Sequence, residues 1–203
     1  MILFLWAYLI NAPEVLLFTN MPLLTQSILL VNNLITYLVT AMLIGLLFSP
    51  AKIGAGLVKA LRIYFQKRKN VDWLWRLTLA AFLYFPIYYL FGLIFSPITS
   101  PYYNQPELGL GLVLPSIEIW IPVEIGRGLV YALSVVPLLA VLRMTKWRIS
   151  LWMGLMLAII GGIMPQMVNV AWPLPLRLGH GVEIICDSFA QGFMMTWLLW
   201  VKS

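Results

Sequence analysis

The sequence predicts an all-α protein: a polytopic transmembrane helix bundle of about six spanning helices, with one further helix lying in the cytoplasmic interface. Three observations predict it. Of 203 residues, 62% are hydrophobic and only 10% are charged, against about 25% charged in an ordinary soluble domain. The apolar residues fall into runs close to the roughly 20 residues that a crossing helix needs. The basic residues gather between particular runs rather than being spread along the chain. Mean hydropathy is +0.94, and apolar runs take up nearly the whole length, so residues 1–203 read as a single transmembrane domain.

Six runs are expected to span, at about 2–18, 23–48, 75–95, 117–142, 149–170 and 180–201. The first is the weakest, because Asn11, Pro13 and Glu14 interrupt it. Trp73, Trp75, Tyr102, Trp120, Trp147, Trp172 and Trp200 stand near the edges of the runs, where amphipathic rings anchor at the headgroup level. The first ten residues carry no basic residue, so no cleavable leader is expected. Cys186 is the only cysteine, so no intrachain disulfide can form and the redox compartment is not indicated.

Orientation follows from the basic residues. Lys52, Lys59, Arg62, Lys67, Arg68, Lys69 and Arg76 lie between the second and third runs, Arg143, Lys146 and Arg148 between the fourth and fifth, and Lys202 after the sixth. With six crossings these segments share one side, which the positive-inside rule makes cytoplasmic. The expected location is the cell membrane, multi-pass, with both termini cytoplasmic. The net charge of +6 is therefore a matter of topology, and no nucleic-acid partner is expected.

Two connections have character of their own. Between about 51 and 67, Lys52, Lys59, Arg62, Gln66 and Lys69 share an arc of about 100°, with Ile53, Leu57, Leu61, Tyr64 and Phe65 opposite. This predicts an interfacial helix whose basic face meets anionic lipid headgroups, Lys52, Lys59 and Arg62 being the contacts. The outer loop, 96–116, holds Pro97, Pro101, Pro106 and Pro115 with Tyr102 and Tyr103. Such proline density makes a restrained, non-helical cover over the bundle.

Charge inside a bilayer costs about 2.5–3.5 kcal/mol per residue on insertion scales, so polar residues within spans carry the functional information. On the sixth run His180, Glu183, Asp187 and Gln191 fall within an arc of about 80°. On the fourth, Glu124, Arg127, Tyr131 and Ser134 repeat the pattern; on the second, Thr25, Asn32, Asn33, Thr36 and Thr40 make a neutral stripe. Gln166 and Asn169 end the fifth run. The expected polar cavity is lined by Glu124, Arg127, Tyr131, Asn169, Arg177, His180, Glu183, Asp187 and Gln191. In it the stripes of the fourth and sixth helices face each other, so that Arg127 can donate to the carboxylates of Glu124, Glu183 and Asp187; the plain structural alternative is an Arg127 pair with Glu183 or Asp187 that fixes helix register. Three carboxylates against one arginine leave negative charge to be balanced by a proton, a cation or charged His180. No metal is expected, because zinc usually takes more nitrogen or sulfur ligands than a single histidine offers, and no cofactor is indicated.

Glu124-Ile-Gly-Arg127-Gly128 resembles the acid-and-arginine motif of the CAAX-processing type of intramembrane protease. The spacing departs from that family's paired acid, and the chain has one histidine where the family needs more, so no catalytic residue is carried over. No HExxH, P-loop or GxSxG is present. Three functions remain. The first is binding or transport of a small polar or anionic molecule, or a lipid headgroup, in an outward-facing cavity, with a homo-oligomer or a membrane-complex partner because six spans are few for a carrier. The second is a structural subunit of a larger membrane complex. The third is an enzyme acting on a lipid-linked substrate, with His180 as general base.

Overall fold

A computed structural model describes residues 8–47, 56–163 and 171–202. Seven α-helices and no strand occur among the described residues: α1 (Asn11–Phe18), α2 (Leu23–Leu47), α3 (Leu57–Gln66), α4 (Asn70–Thr99), α5 (Ile117–Val141), α6 (Lys146–Leu157) and α7 (Leu174–Leu199). The chain after α6 winds on as π-helical turns, Ala158–Ile163.

The four long helices arise where apolar side chains run on without a turn signal. α4 begins at Asn70 rather than at 75 and continues to Thr99, through Pro86 and Pro97. The predicted start of the outer loop at 96 is thereby corrected to Ser100. Proline inside a membrane-type helix is tolerated because neighbouring helices re-satisfy the freed backbone groups. α7 likewise starts before 180: Pro173, Leu174 and Pro175 open it, and a proline in the first turn removes only an N–H that would have no helical partner. Gly109, at φ 63°, turns the chain out of the short 3₁₀ segment Pro106–Leu108.

α4 is the centre of the assembly, packed against α5 on one side and α7 on the other, while α6 lies along α7 and α3 against α5. At one end the outer loop closes over the helices. There the Asn20 N–H donates to Gly111 O at 2.7 Å and the Val113 N–H to Phe18 O at 2.9 Å. The opposite end is basic, and α3 lies there. Its helical span is Leu57–Gln66, shorter than the predicted 51–67; residues 51–55, Lys52 among them, lie outside the described residues.

Basic residues at that end do two different things. Lys59 and Arg62 are exposed on the side of α3 away from its buried Tyr64. Arg68 turns inward and caps α7: Nη1 donates to Leu198 O at 3.0 Å and Nη2 to Trp200 O at 2.7 Å. Nη1 of Arg76 also donates to Leu198 O, at 2.8 Å. Cations are favoured at a helix C-terminus, where carbonyls lack helical partners. The Tyr64 hydroxyl donates to Leu199 O at 2.8 Å and accepts from the Val201 N–H at 3.1 Å, and burial pushes its pKa up to about 12. Trp73, expected as a lipid-facing anchor, is 4% exposed, and its indole N–H donates to Phe65 O at 2.9 Å.

Three helical segments are long and apolar enough to cross a membrane: Leu23–Leu43, Asn70–Tyr102 and Ile117–Val141. Three of the six expected spans thus meet both conditions. α1 has eight residues, about 12 Å at 1.5 Å per residue, and what precedes residue 8 lies outside the described residues. α6 has 12 before its π turns. α7 has the length, with 26 residues, but Arg177, Glu183 and Asp187 lower its apolar character.

Candidate functional site

Two charged groups form beside the central helix. The first is built on Arg127 of α5, which is 4% exposed. Its Nη2 lies 2.7 Å from Oε1 of Glu14 on α1, and its Nη1 lies 2.7 Å from both carboxylate oxygens of Glu124, one turn earlier on α5. Glu124 is fully buried. The guanidinium also stands over the rings of Tyr84 and Tyr88 of α4, at 5.8 and 5.5 Å, where the ring quadrupole attracts a cation. Tyr131 stacks on Tyr84 with centroids 5.0 Å apart, and the Tyr88 hydroxyl points to Oε1 of Glu14 at 3.4 Å. Gly128 permits this closeness, since a Cβ there would lie 2.5 Å from Cβ of Tyr84 and 2.6 Å from Ala81 O.

The pairing differs in part from the expected one. Arg127 takes its ion pairs from Glu124 and from Glu14, and α5 packs mainly on α4 while α7 packs on α6 and α4, with less contact between α5 and α7. Three-residue spacing on one helix made the Glu124 pair legible. Glu14 lies far away in sequence; its signs were that it interrupts the first apolar run and that the expected topology puts it in the same half of the bundle as Glu124 and Arg127.

The second group is the polar face of α7. Nδ1 of His180 lies 3.1 Å from Oε2 of Glu183. Glu183, Asp187, Ser188 and Gln191 are all buried, at 6, 7, 5 and 2% exposed. Positions three and four apart lie on one face at about 5–6 Å between Cβ atoms, so this face is lined with acceptors. Gln191 Nε2 donates to Tyr84 O at 3.1 Å, whereas its Oε1 is buried with no hydrogen-bond partner. Near the N-terminal end of α7 the Trp172 ring stands 6.0 Å from that of His180. Tyr103 of the outer loop belongs here too: burial first, then the negative charge of Glu183 and Glu14, holds its phenol well above the ordinary tyrosine range. Tyr103 was read only as part of a cover, although the loop's aromatic pair was the available signal.

Arg177 sits one turn before His180 on α7. Asn169, with Gln166, lies outside the described residues. Among the described residues no three histidine, cysteine or carboxylate side chains are grouped to hold a metal ion. Two open grooves lie elsewhere, one on α4 and one on α2.

Fold and site together define a class: an all-helical protein, three of whose helices can cross a membrane, with buried charge flanking its central helix. Compared with family profiles, curated proteins and solved structures, the chain has no match.

Proposed function

We propose that this chain is a multi-pass protein of the cell membrane that binds or transports a small polar molecule at the outer half of α7, and that the molecule carries positive charge and hydrogen-bond donors, as an organic amine does. The observation that carries this reading is the acceptor-rich face of Glu183, Asp187 and Gln191, with Gln191 Oε1 buried and unpartnered. A buried acceptor without a donor costs about 1–3 kcal/mol, which an incoming donor recovers. The balance of charge points the same way. Four buried or half-buried carboxyls, Glu14, Glu124, Glu183 and Asp187, lie beside α4, and the terminal nitrogens of Arg127 are taken by two of them, Glu14 and Glu124. With those nitrogens held, Arg127 favours a cation over the anionic molecule or lipid headgroup expected from sequence, which stays the alternative reading. Tyr103 and Trp172 form the outer cover, and their displacement opens the site.

Asp187→Asn keeps the shape of the site and removes its carboxyl. Equilibrium binding of radiolabelled methylammonium and putrescine to the protein in lipid nanodiscs is expected to weaken about 10- to 150-fold in this variant, from the roughly 1.5–3 kcal/mol of a hydrogen bond to a charged group. Equal binding by Asp187→Asn and the parent, or binding by neither, would remove the reading.

The same proposal places the basic end of the bundle in the cytoplasm. Its support is the gathering of Lys59, Arg62, Lys67, Arg68 and Lys69 at the end opposite the outer loop. In this topology α1, α6 and α7 also cross. A reporter active only outside the cytoplasm, fused after Ser203, is then silent; activity would mean an odd number of crossings.

A further inference from the structure

α2 stands apart from the rest of the bundle. It is a 25-residue helix containing a segment able to cross a membrane, Leu23–Leu43, of which 6% is buried. It packs mainly against the short α1. Gln26 is buried and donates to Thr19 O at 3.1 Å, while Tyr37 is hydrogen-bonded to Asn11; these contacts mark the inward side.

The outward side is not uniformly apolar. Thr25, Ile28, Asn32, Ile35, Val39, Met42 and Leu46 are all exposed, and their spacing alternates three and four residues. That is the spacing with which one helix presents a seam to another. Ile28 and Ile35, flanking Asn32, are 60 and 55% exposed. Two threonine hydroxyls on this helix are satisfied locally: Thr36 donates to Asn32 O at 2.8 Å and Thr40 to Thr36 O at 2.7 Å. The Asn32 side-chain amide has no hydrogen bond among the described residues. It has both a carbonyl oxygen and an NH₂ group, and leaving an amide unpaired in hydrocarbon costs several kcal/mol.

We infer that the Thr25–Leu46 face of α2 is the contact surface for a second copy of this chain, the two α2 helices running parallel about a two-fold axis with Asn32 against Asn32. The chemistry selects the partner. In a two-fold contact each residue of the seam meets its own kind, and a carboxamide is the polar side chain that complements itself, each amide giving one N–H to the other's oxygen. The residues above and below Asn32 are apolar on both copies, so no charge opposes the pairing. Polar side chains act as glue between helices in membranes, and one asparagine in a seam fixes register and partner number. The surface lies on a helix that packs mainly on α1 rather than on α7, so this inference stands or falls separately from the proposed binding function.

The test uses the full-length protein reconstituted in phosphatidylcholine vesicles, with Cys186→Ser as background. Single cysteines placed by Ile28→Cys, Ile35→Cys and Val39→Cys are expected to form disulfide dimers under mild oxidation. Leu30→Cys and Leu34→Cys, half-buried on the other side of α2, are not. In Förster transfer between labelled copies diluted into lipid, Asn32→Leu is expected to raise the dissociation constant about 5- to 30-fold, and Asn32→Gln to stay near the parent. Transfer absent at every protein-to-lipid ratio overturns the inference and leaves the face to lipid or to another protein. Cross-linking without helical periodicity, or dimerisation unchanged by Asn32→Leu, overturns it as well.

Discussion

Replacing Arg127 by methionine is expected to lower the stability of the protein by about 3–5 kcal/mol, the range for removing one partner of a buried charge network. Methionine fills much of the same volume, so the loss measures charge rather than a cavity. Glu124, fully buried, would keep its carboxylate with no cation beside it, and Glu14 would lose its hold on α5. Arg127→Lys is expected to recover only part, because an ammonium cannot fork to two carboxylates as a planar guanidinium does. The triple variant Glu14→Gln, Glu124→Gln, Arg127→Met removes the uncompensated charges together and should regain much of the loss. The measurement is unfolding of the purified protein in mixed detergent. If Arg127→Met unfolds where the parent does, the network does not hold α1 to α5. A triple variant no better than the single one would show that the interaction depends on the shape of the side chains rather than on their charge.

What the sequence could convey about this network was limited by distance along the chain. Glu124 and Arg127 are three apart on one helix, and helical geometry alone brings them together. The same rule gathers His180, Glu183, Asp187 and Gln191 on one face of α7, and all but His180 are buried. Which stripe faces which is a property of packing, and periodicity says nothing about it. Glu14 reaches Arg127 only because the fold brings α1 to α5, and Tyr84 and Tyr88 stand beside the guanidinium because α5 packs along α4. Of the expected first span, 2–18, the described α-helical part is Asn11–Phe18, and residues 1–7 lie outside the described residues. The basic run after α2 was legible as amphipathic. That Arg68 and Arg76 would turn back to the carbonyls of α7 was not, because a helix C-terminus advertises its need for donors only once the fold brings it near.

Glycine substitutions test the packing that aligns the α7 face, and they separate close approach from mere flexibility. Gly192 of α7 crosses Gly154 of α6 backbone to backbone: a Cβ on Gly192 would lie 2.8 Å from Cα of Gly154 and 3.0 Å from the carbonyl carbon of Met153. Real Cβ atoms do not sit so near main chain, and main chain cannot rotate away as a side-chain tip can. A residue larger than glycine must therefore push α6 from α7. Gly154 offers no slack in return, since a Cβ on it would lie 2.9 Å from Cα of Phe189. Overpacking a closed contact costs about 1–3 kcal/mol for a small addition. Gly192→Val, with three added carbons against backbone, is expected at or above the top of that range. Because Gln191 adjoins Gly192 and Asp187 lies just over one turn earlier, the shift should also weaken methylammonium binding in whatever fraction stays folded. Gly126 of α5 is the control. It lies inside a helix with no atom within 4 Å of its would-be Cβ, so Gly126→Ala should be neutral or stabilising by about 0.5–1 kcal/mol through backbone entropy. Thermal unfolding of both variants in one detergent decides the matter. A Gly192→Val protein that melts with the parent would mean that α6 and α7 do not touch at this crossing, and the alignment of the polar face would need another origin.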